Sequence, residues 1–526
     1  MFNYITPIKK YQKIKNKKLK EIKKIKNKKV KKMSSTSIKI QEDALKLRDY
    51  LDENNEQLIN QFIDTHDENF FLKAKLDEDK KISLFHKIAF SDMTLIFYSV
   101  LQKFISKFGN KNSILPQLFS MEDIDGNTPL LFAAFRGNIE IIKELINHGV
   151  DYKKKNNSGL NVLHMAAQGD RPNVLIYFKE KYNMNINEVD ENGSTPLHWA
   201  CYMSSEISIN YILSWINHND VNIQDINGKS PLHIAIYGER MKIIKKLINK
   251  GGNLSLRDND GKTVFEICRD NPQLANVFKL ITEYKPVKSC LFNNNEGNNQ
   301  RNIFRCLIFL FLTITIECLT FFVLIPYINN NFLNGLYISF AVALFIITVY
   351  MIFSDPGILI SNYNLSWLEI VNNKIDVTEL CPYCKVKKGK YTKHCHVCSH
   401  CIENFDHHCQ WINNCVGEKN STFFVIFLLV LIIKLVLNYI IALKTFLMNT
   451  NDMDPLMRLM NNEKKGEPIF ILNFLFIKTT KDVLSVGVMT ICLFFFPPVC
   501  YVLYIQMKNR EQRKLRKLNL KSEKSS

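Results

Sequence analysis

The sequence predicts an all-α protein in three parts: a cytosolic helical-repeat solenoid, a four-helix transmembrane domain, and a small cytosolic, cysteine-rich, zinc-binding module between the second and third spans. Three observations predict it. A phrase recurs every 33 to 35 residues through the first half, four apolar stretches of spanning length lie in the second, and seven of the 14 cysteines crowd between Cys381 and Cys415. At 526 residues the chain exceeds the usual size of one hydrophobic core, so several units are expected.

The net charge of +19 is mostly a tail, because residues 9–32 hold 14 lysines against the single acid Glu21. Such a block repels itself and reads as a disordered basic arm, here taken as residues 1–45. Beside a membrane domain its role is contact with the anionic lipid of the cytoplasmic leaflet, where each basic residue contributes roughly 1 kcal/mol, rather than with nucleic acid. The first residues lack a 7–15 residue apolar run, so no cleavable leader is read there and the N-terminus is expected in the cytosol.

The repeat is marked by Gly126, Gly159, Gly193, Gly228 and Gly261, which open the phrases GNTPLLFAA, GLNVLHMAA, GSTPLHWAC, GKSPLHIAI and GKTVFEICR. They resemble ankyrin repeats, whose unit is a turn followed by two antiparallel helices. Glycine suits the turn, Thr128, Thr195 and Ser230 are placed to cap the first helix with their hydroxyls, and Pro129, Pro196 and Pro231 stand in its first turn, where no donor is needed. Leu130, Leu163, Leu197 and Leu232 anchor each pair, and Ala133, Ala166, Ala200 and Ala235 permit close packing. LFHKIAFSD at Leu84–Asp92 reads as a degenerate first repeat and the segment from Gly261 as a cap, giving five or six repeats over residues 80–280. His164, His198 and His233 recur in register as part of the signature, hence as architecture rather than a metal ladder.

Residues 303–327, 333–353, 422–447 and 484–506 are the four spans, whereas Pro468–Ile477 is too short to cross and reads as interfacial. Lys285, Lys288, Arg301 and Arg305 precede the first span, the 354–421 loop is lysine-rich, and seven basic residues lie between Lys508 and Lys521. Solenoid, cysteine loop and the basic tail 507–526 therefore all fall on the cytosolic side. Glu317 and Lys434 interrupt spans, and a functional charge, an interhelical bond or a neutral Glu accounts for them.

The loop reads Cys381-x2-Cys384-x9-His394-Cys395-x2-Cys398-x2-Cys401-x4-Asp406-His407-His408-Cys409-x5-Cys415. Paired Cys-x2-Cys turns bring two thiolates to one ion, and the ligand count allows two zinc sites. His396 and His400 lie in the same region and either could stand in for a ligand. A dense cluster of this kind belongs in a reducing compartment rather than a disulfide framework.

This run, with Trp411, Asn414-Cys415-Val416-Gly417, Asn420, Phe424 and the Asp355-Pro356-Gly357 motif, resembles the cysteine-rich domain (residues 378–424) of DHHC protein acyltransferases, and together with the repeats it resembles their ankyrin-repeat subfamily. The resemblance implies Cys381, Cys384, His394 and Cys401 on one structural Zn2+, and Cys395, Cys398, His408 and Cys415 on the other. It implies Cys409 as nucleophile and acyl carrier, His407 as general base and Asp406 as the group that orients the base. It further implies palmitoyl-CoA as acyl donor and a multi-pass protein of the endomembranes, the Golgi foremost. Its partners would be substrate proteins with membrane-proximal cysteines, recruited in part as ligands of the repeats.

Three positions leave the family pattern. Lys388-Gly389-Lys390-Tyr391 replaces the usual Lys-Pro-x-Arg, Gln410 stands where a proline follows the nucleophile, and Met507-Lys508-Asn509-Arg510-Glu511 occupies the place of a Thr-Thr-x-Glu motif. These touch support of the site rather than the triad, and they keep open a second reading, a catalytically weak or inactive membrane scaffold that binds partners through its repeats.

Overall fold

The computed structural model describes residues 35–109, 114–283, 303–327, 330–361, 364–449 and 480–525. The chain divides into two compact units, residues 1–288 with 365–378, and residues 289–364 with 379–526. Most of the basic arm, the expected interfacial run Pro468–Ile477, and Lys285, Lys288 and Arg301 lie outside the described residues.

In the first unit, helix pairs follow one another from Leu84–Phe90 and Thr94–Phe108 to Val264–Asp270 and Ala275–Glu283. Apart from Thr94–Phe108, these paired helices have seven to eleven residues and are marginal alone, so packing holds them. Ala133, Ala166, Ala200 and Ala235 are fully buried where the first helices approach one another, and Leu130, Leu163, Leu197 and Leu232 are at most 2% exposed.

The turns show why the period is rigid. Gly159 has φ +77, and a Cβ there would sit 2.6 Å from the backbone N of Glu191 in the next turn. That closeness lets turns bond across repeats, as in Glu191 N–H to Ser158 O at 3.1 Å and Ile226 N–H to Asn192 O at 2.9 Å. A residue three before each glycine closes its own turn: Asp190 Oδ1 accepts from Asn192 N and Ser194 N, both at 2.8 Å, and Asp123, Asn156, Asp225 and Asp258 repeat the pattern.

One expected detail changes. Thr128 makes no capping hydrogen bond, whereas Thr195 and Ser230 act with the histidine three residues on. His198 Nδ1 accepts from the Thr195 backbone N–H at 3.0 Å and also contacts its hydroxyl at 2.9 Å, while Nε2 reaches Lys229 O in the next turn at 3.1 Å. His164 and His86 make the same bridges, to Ser194 O at 3.1 Å and Asn127 O at 2.8 Å. Position 131 is a leucine, which cannot accept, so Thr128 has no such partner.

Two parts of this unit were not read from sequence. Residues 35–45, expected in the arm, begin the helix Ser35–Asp52, which precedes helices Glu56–Thr65 and Glu68–Lys73. The segment 365–378 also belongs here: its helix Trp367–Asn372, closed by a Ser366/Glu369 capping box, packs on the solenoid helix Pro172–Tyr182. Ile370, Val371 and Val377 are buried, Tyr211 donates to Val377 O at 2.7 Å with its ring edge-on to Trp367, and Lys374 pairs with Glu140.

Among its described residues the second unit contains four helices long and apolar enough to cross a membrane, with spanning stretches Leu307–Leu324, Asn331–Phe353, Ser421–Phe446 and Val483–Gln512. The first widens into a π-helical turn at Thr320–Leu324. The fourth continues without a break through Pro497 and Pro498 to Ser525, well beyond the expected end at 506. Glu317 and Lys434 meet: Lys434 Nζ lies 2.9 Å from Glu317 Oε2, and Tyr337 donates its hydroxyl to the same carboxylate. The interhelical bond thus accounts for both charges, and it ties spans one, two and three together.

Candidate active site and metal centres

Five short strands carry the cysteine-rich module, in a three-stranded sheet of order β1-β3-β2 (β1 Ile358–Leu359, β2 Lys393–Cys395, β3 His400–Ile402) and a β4–β5 hairpin (β4 His407–Cys409, β5 Asn414–Val416). Strand alternation sorts neighbouring residues between faces. His394 pairs with Cys401 across β2 and β3, while the next residue, Cys395, faces the other way. In β4, His408 pairs with Cys415, leaving His407 and Cys409 together on the opposite face.

Cys381, Cys384, His394 and Cys401 converge, as do Cys395, Cys398, His408 and Cys415, with the ligand atoms of each set within 4.8 Å of one another. Zinc at about 2.3 Å from sulfur and 2.0 Å from nitrogen places tetrahedral ligands roughly 3.5–3.8 Å apart. Observed separations fit that shell: Cys384 Sγ to His394 Nδ1 3.2 Å, Cys401 Sγ to His394 Nδ1 3.9 Å, Cys398 Sγ to His408 Nδ1 3.3 Å, and Cys415 Sγ to His408 Nδ1 3.6 Å. Three thiols and an imidazole crowded this closely call for a cation, and neither set leaves a fourth position open. His396 and His400 join neither set: His400 Nδ1 bonds Cys398 O, and His396 packs edge-on against Tyr383 and His394.

Two loops attach the module to the spans. Asn414 donates to Met351 O at 3.0 Å and Ser354 O at 2.8 Å, capping the second helix, and Asn420 links Cys415 O, Ser354 Oγ and Gly417 N ahead of the third. Gly417 has no room for a side chain, since a Cβ would stand 2.3 Å from Pro356 O. Asp355 Oδ1 accepts from Gly357 N and Ile358 N, and Oδ2 pairs with Lys419. The Lys419 ammonium, followed by these backbone donors, holds the Asp355 carboxyl down at about 2.

Cys409 is 7% exposed and shares an apolar cluster with Leu344 and Met351 of the second span and Phe424, Phe427 and Leu428 of the third; Phe309, Val499, Val502 and Leu503 pack around it. His407 Nδ1 lies 3.4 Å from Asp406 Oδ2, with its ring edge-on to Phe424. Burial disfavours the imidazolium, but hydrogen bonding to Asp406 and Cys409 outweighs it and raises His407 to about 9. The sequence reading missed Asn509, which donates to Asp406 Oδ1 at 3.0 Å from 103 residues away. Its signal was the altered tail motif, seen as a loss rather than a replacement.

Comparison with known families matches residues 374–514 to the DHHC palmitoyltransferase family and residues 99–187, 149–214 and 207–289 to ankyrin repeats. Among curated relatives, the chain is similar to palmitoyltransferase AKR1 of Lachancea kluyveri, 24% identical over 62% of this chain and 55% of that one. It is 21% identical to human palmitoyltransferase ZDHHC13 over 57% of this chain and 58% of that one. Palmitoyltransferase swf1 of Schizosaccharomyces pombe is 38% identical over 23% of this chain and 36% of its own. The chain thus spans little more than half the length of the first two of these relatives. The strands β2 to β5, joined to the spans through Asn414 and Asn420, fall within the stretch that matches the DHHC palmitoyltransferase family, and the stretch that matches ankyrin repeats precedes it in the chain.

Proposed function

We propose that the chain is a membrane-bound protein S-acyltransferase that loads a long-chain acyl group, palmitate foremost, onto Cys409 and passes it to cysteines of other proteins. The observation that carries this reading is the placement of Cys409: a thiol beside His407 and Asp406, embedded in an apolar cluster supplied by the spans. An apolar setting contributes about 0.8 kcal/mol for each methylene it removes from water, so it suits an acyl tail.

In the first step His407 holds the Cys409 proton and the thiolate attacks the thioester carbonyl of acyl-CoA. The carbon–sulfur bond to CoA breaks, and CoA leaves with the proton from His407. In the second step a substrate cysteine gives its proton to His407 and attacks the acyl-Cys409 carbonyl, which releases Cys409. One thioester replaces another, so no ATP is required. Asp406 orients the imidazole. Cys381, Cys384, His394 and Cys401 would hold one zinc, and Cys395, Cys398, His408 and Cys415 the other. Bound there, the ions supply structure, because both donor sets are closed.

The repeats present substrates, the solenoid and both termini face the cytosol, and the protein resides in endomembranes such as the Golgi. The experiment is a CoA-release assay on the purified full chain with palmitoyl-CoA and a membrane-protein acceptor. Release that depends on Cys409, with transfer but not self-acylation lost on deleting residues 80–280, supports the reading. No Cys409-dependent release favours the scaffold.

A further inference from the structure

The fourth span does not stop at the membrane: one helix runs from Thr480 to Ser525 and brings a single face past the site. On that face Val499, Val502 and Leu503 pack against the apolar cluster around Cys409, Gln506 is 3% exposed, and Asn509 follows one turn later. These positions keep the three-to-four residue spacing of one helix stripe. The stripe therefore changes from apolar to amide as it leaves the nucleophile's cover and reaches Asp406.

We infer that Asn509 is a positioning residue for acyl transfer, holding the Asp406 carboxylate in the rotamer that orients His407; this rests on the acyltransfer reading above. Its Nδ2 stands 3.0 Å from Asp406 Oδ1, while the other oxygen, Oδ2, faces His407 Nδ1 at 3.4 Å. A carboxylate only accepts, so the amide must present its NH2 end. One oxygen of the carboxylate is thus fixed by a donor on a long helix, and the other is buried and left facing the imidazole. Asp406 N–H is bound to Val416 O at 3.0 Å, which fixes the backbone but not the side-chain torsion. Asn509 supplies that constraint, and an uncharged donor does so without drawing the carboxylate away from His407, as a lysine at the same place would.

The test uses the full-length protein in detergent micelles, comparing wild type with Asn509→Asp, which keeps size but only accepts and adds like charge, and Asn509→Ala, which removes the group. Two readouts are taken: the rate of Cys409 acylation at saturating palmitoyl-CoA, and the rate of Cys409 alkylation by iodoacetamide, with bound zinc and thermal midpoint alongside. The expected result is a fall of at least tenfold in both rates for Asn509→Asp and a smaller fall, about fivefold, for Asn509→Ala. Zinc content and half-saturating donor concentration stay unchanged. Wild-type rates in both variants, or equal losses that track loss of zinc, overturn the inference. Should wild type form no Cys409-dependent acyl adduct, the acyltransfer reading fails by itself, and the order of the alkylation rates still decides on Asn509.

Discussion

His407 and His408 are neighbours with opposite surroundings, and one strand alternation separates them. His407→Ala is expected to retain both zincs and to slow Cys409 acylation by about 10²–10⁴-fold, the usual worth of a positioned base. His408→Ala is expected to lose one zinc and with it the hairpin. Metal analysis beside the acylation rate checks both, and zinc retained in both variants would refute the division of roles. Spacing alone allowed two zinc sites and left His396 and His400 open as ligands; the division between His407 and His408 came from the resemblance to the DHHC family. Asn509 was not legible, since a donor 103 residues from its acceptor leaves no local pattern. The turn acids Asp123, Asp190, Asp225 and Asp258 stood at the repeat period and could have been read from it.

Elements were readable wherever periodicity or apolar length marks them. Four apolar runs gave four helices, but their partners across the bundle depend on packing that no run encodes. The Glu317–Lys434 pair with Tyr337 is one such partner set. Removing Lys434 leaves the Glu317 carboxylate without its ion-pair partner within the apolar spans, so Lys434→Met is expected to destabilise the bundle by about 3–5 kcal/mol, and the double variant Glu317→Leu with Lys434→Met to recover most of it. Thermal unfolding in micelles measures this; additive losses would contradict it. The helix Trp367–Asn372 escaped notice because six residues carry too little pattern against the apolar runs that flank them. Trp367→Ala should raise hydrogen exchange in Pro172–Tyr182 and Glu206–Trp215, where the segment packs, and unchanged protection there would show the contact to be idle.

At the scale of the whole molecule, the repeated histidines give the solenoid unit a pH dependence of definite sign. Burial lowers His86, His164 and His198 to about 4, more than the nearby charges of Asp123, Asp190 and Asp225 raise them. Above about pH 6.5 folded and unfolded forms are both neutral. Below it the unfolded chain takes up protons that the folded repeats refuse, so stability falls from about pH 6.5 towards 4, by roughly 3 kcal/mol for each such histidine. Protection factors for amide exchange across residues 84–237, taken against the base-catalysed intrinsic rates that slow as pH falls, should drop between pH 7 and 5, and unchanged protection factors would contradict the burial argument. The proposed chemistry belongs to the second unit and stands on one thiol. The direct measurement incubates the purified chain with a clickable palmitoyl-CoA analogue and maps the hydroxylamine-sensitive adduct by mass spectrometry. The expected result is an adduct on Cys409 that Cys409→Ser abolishes with both zincs retained. Equal labelling of wild type and Cys409→Ser would contradict it.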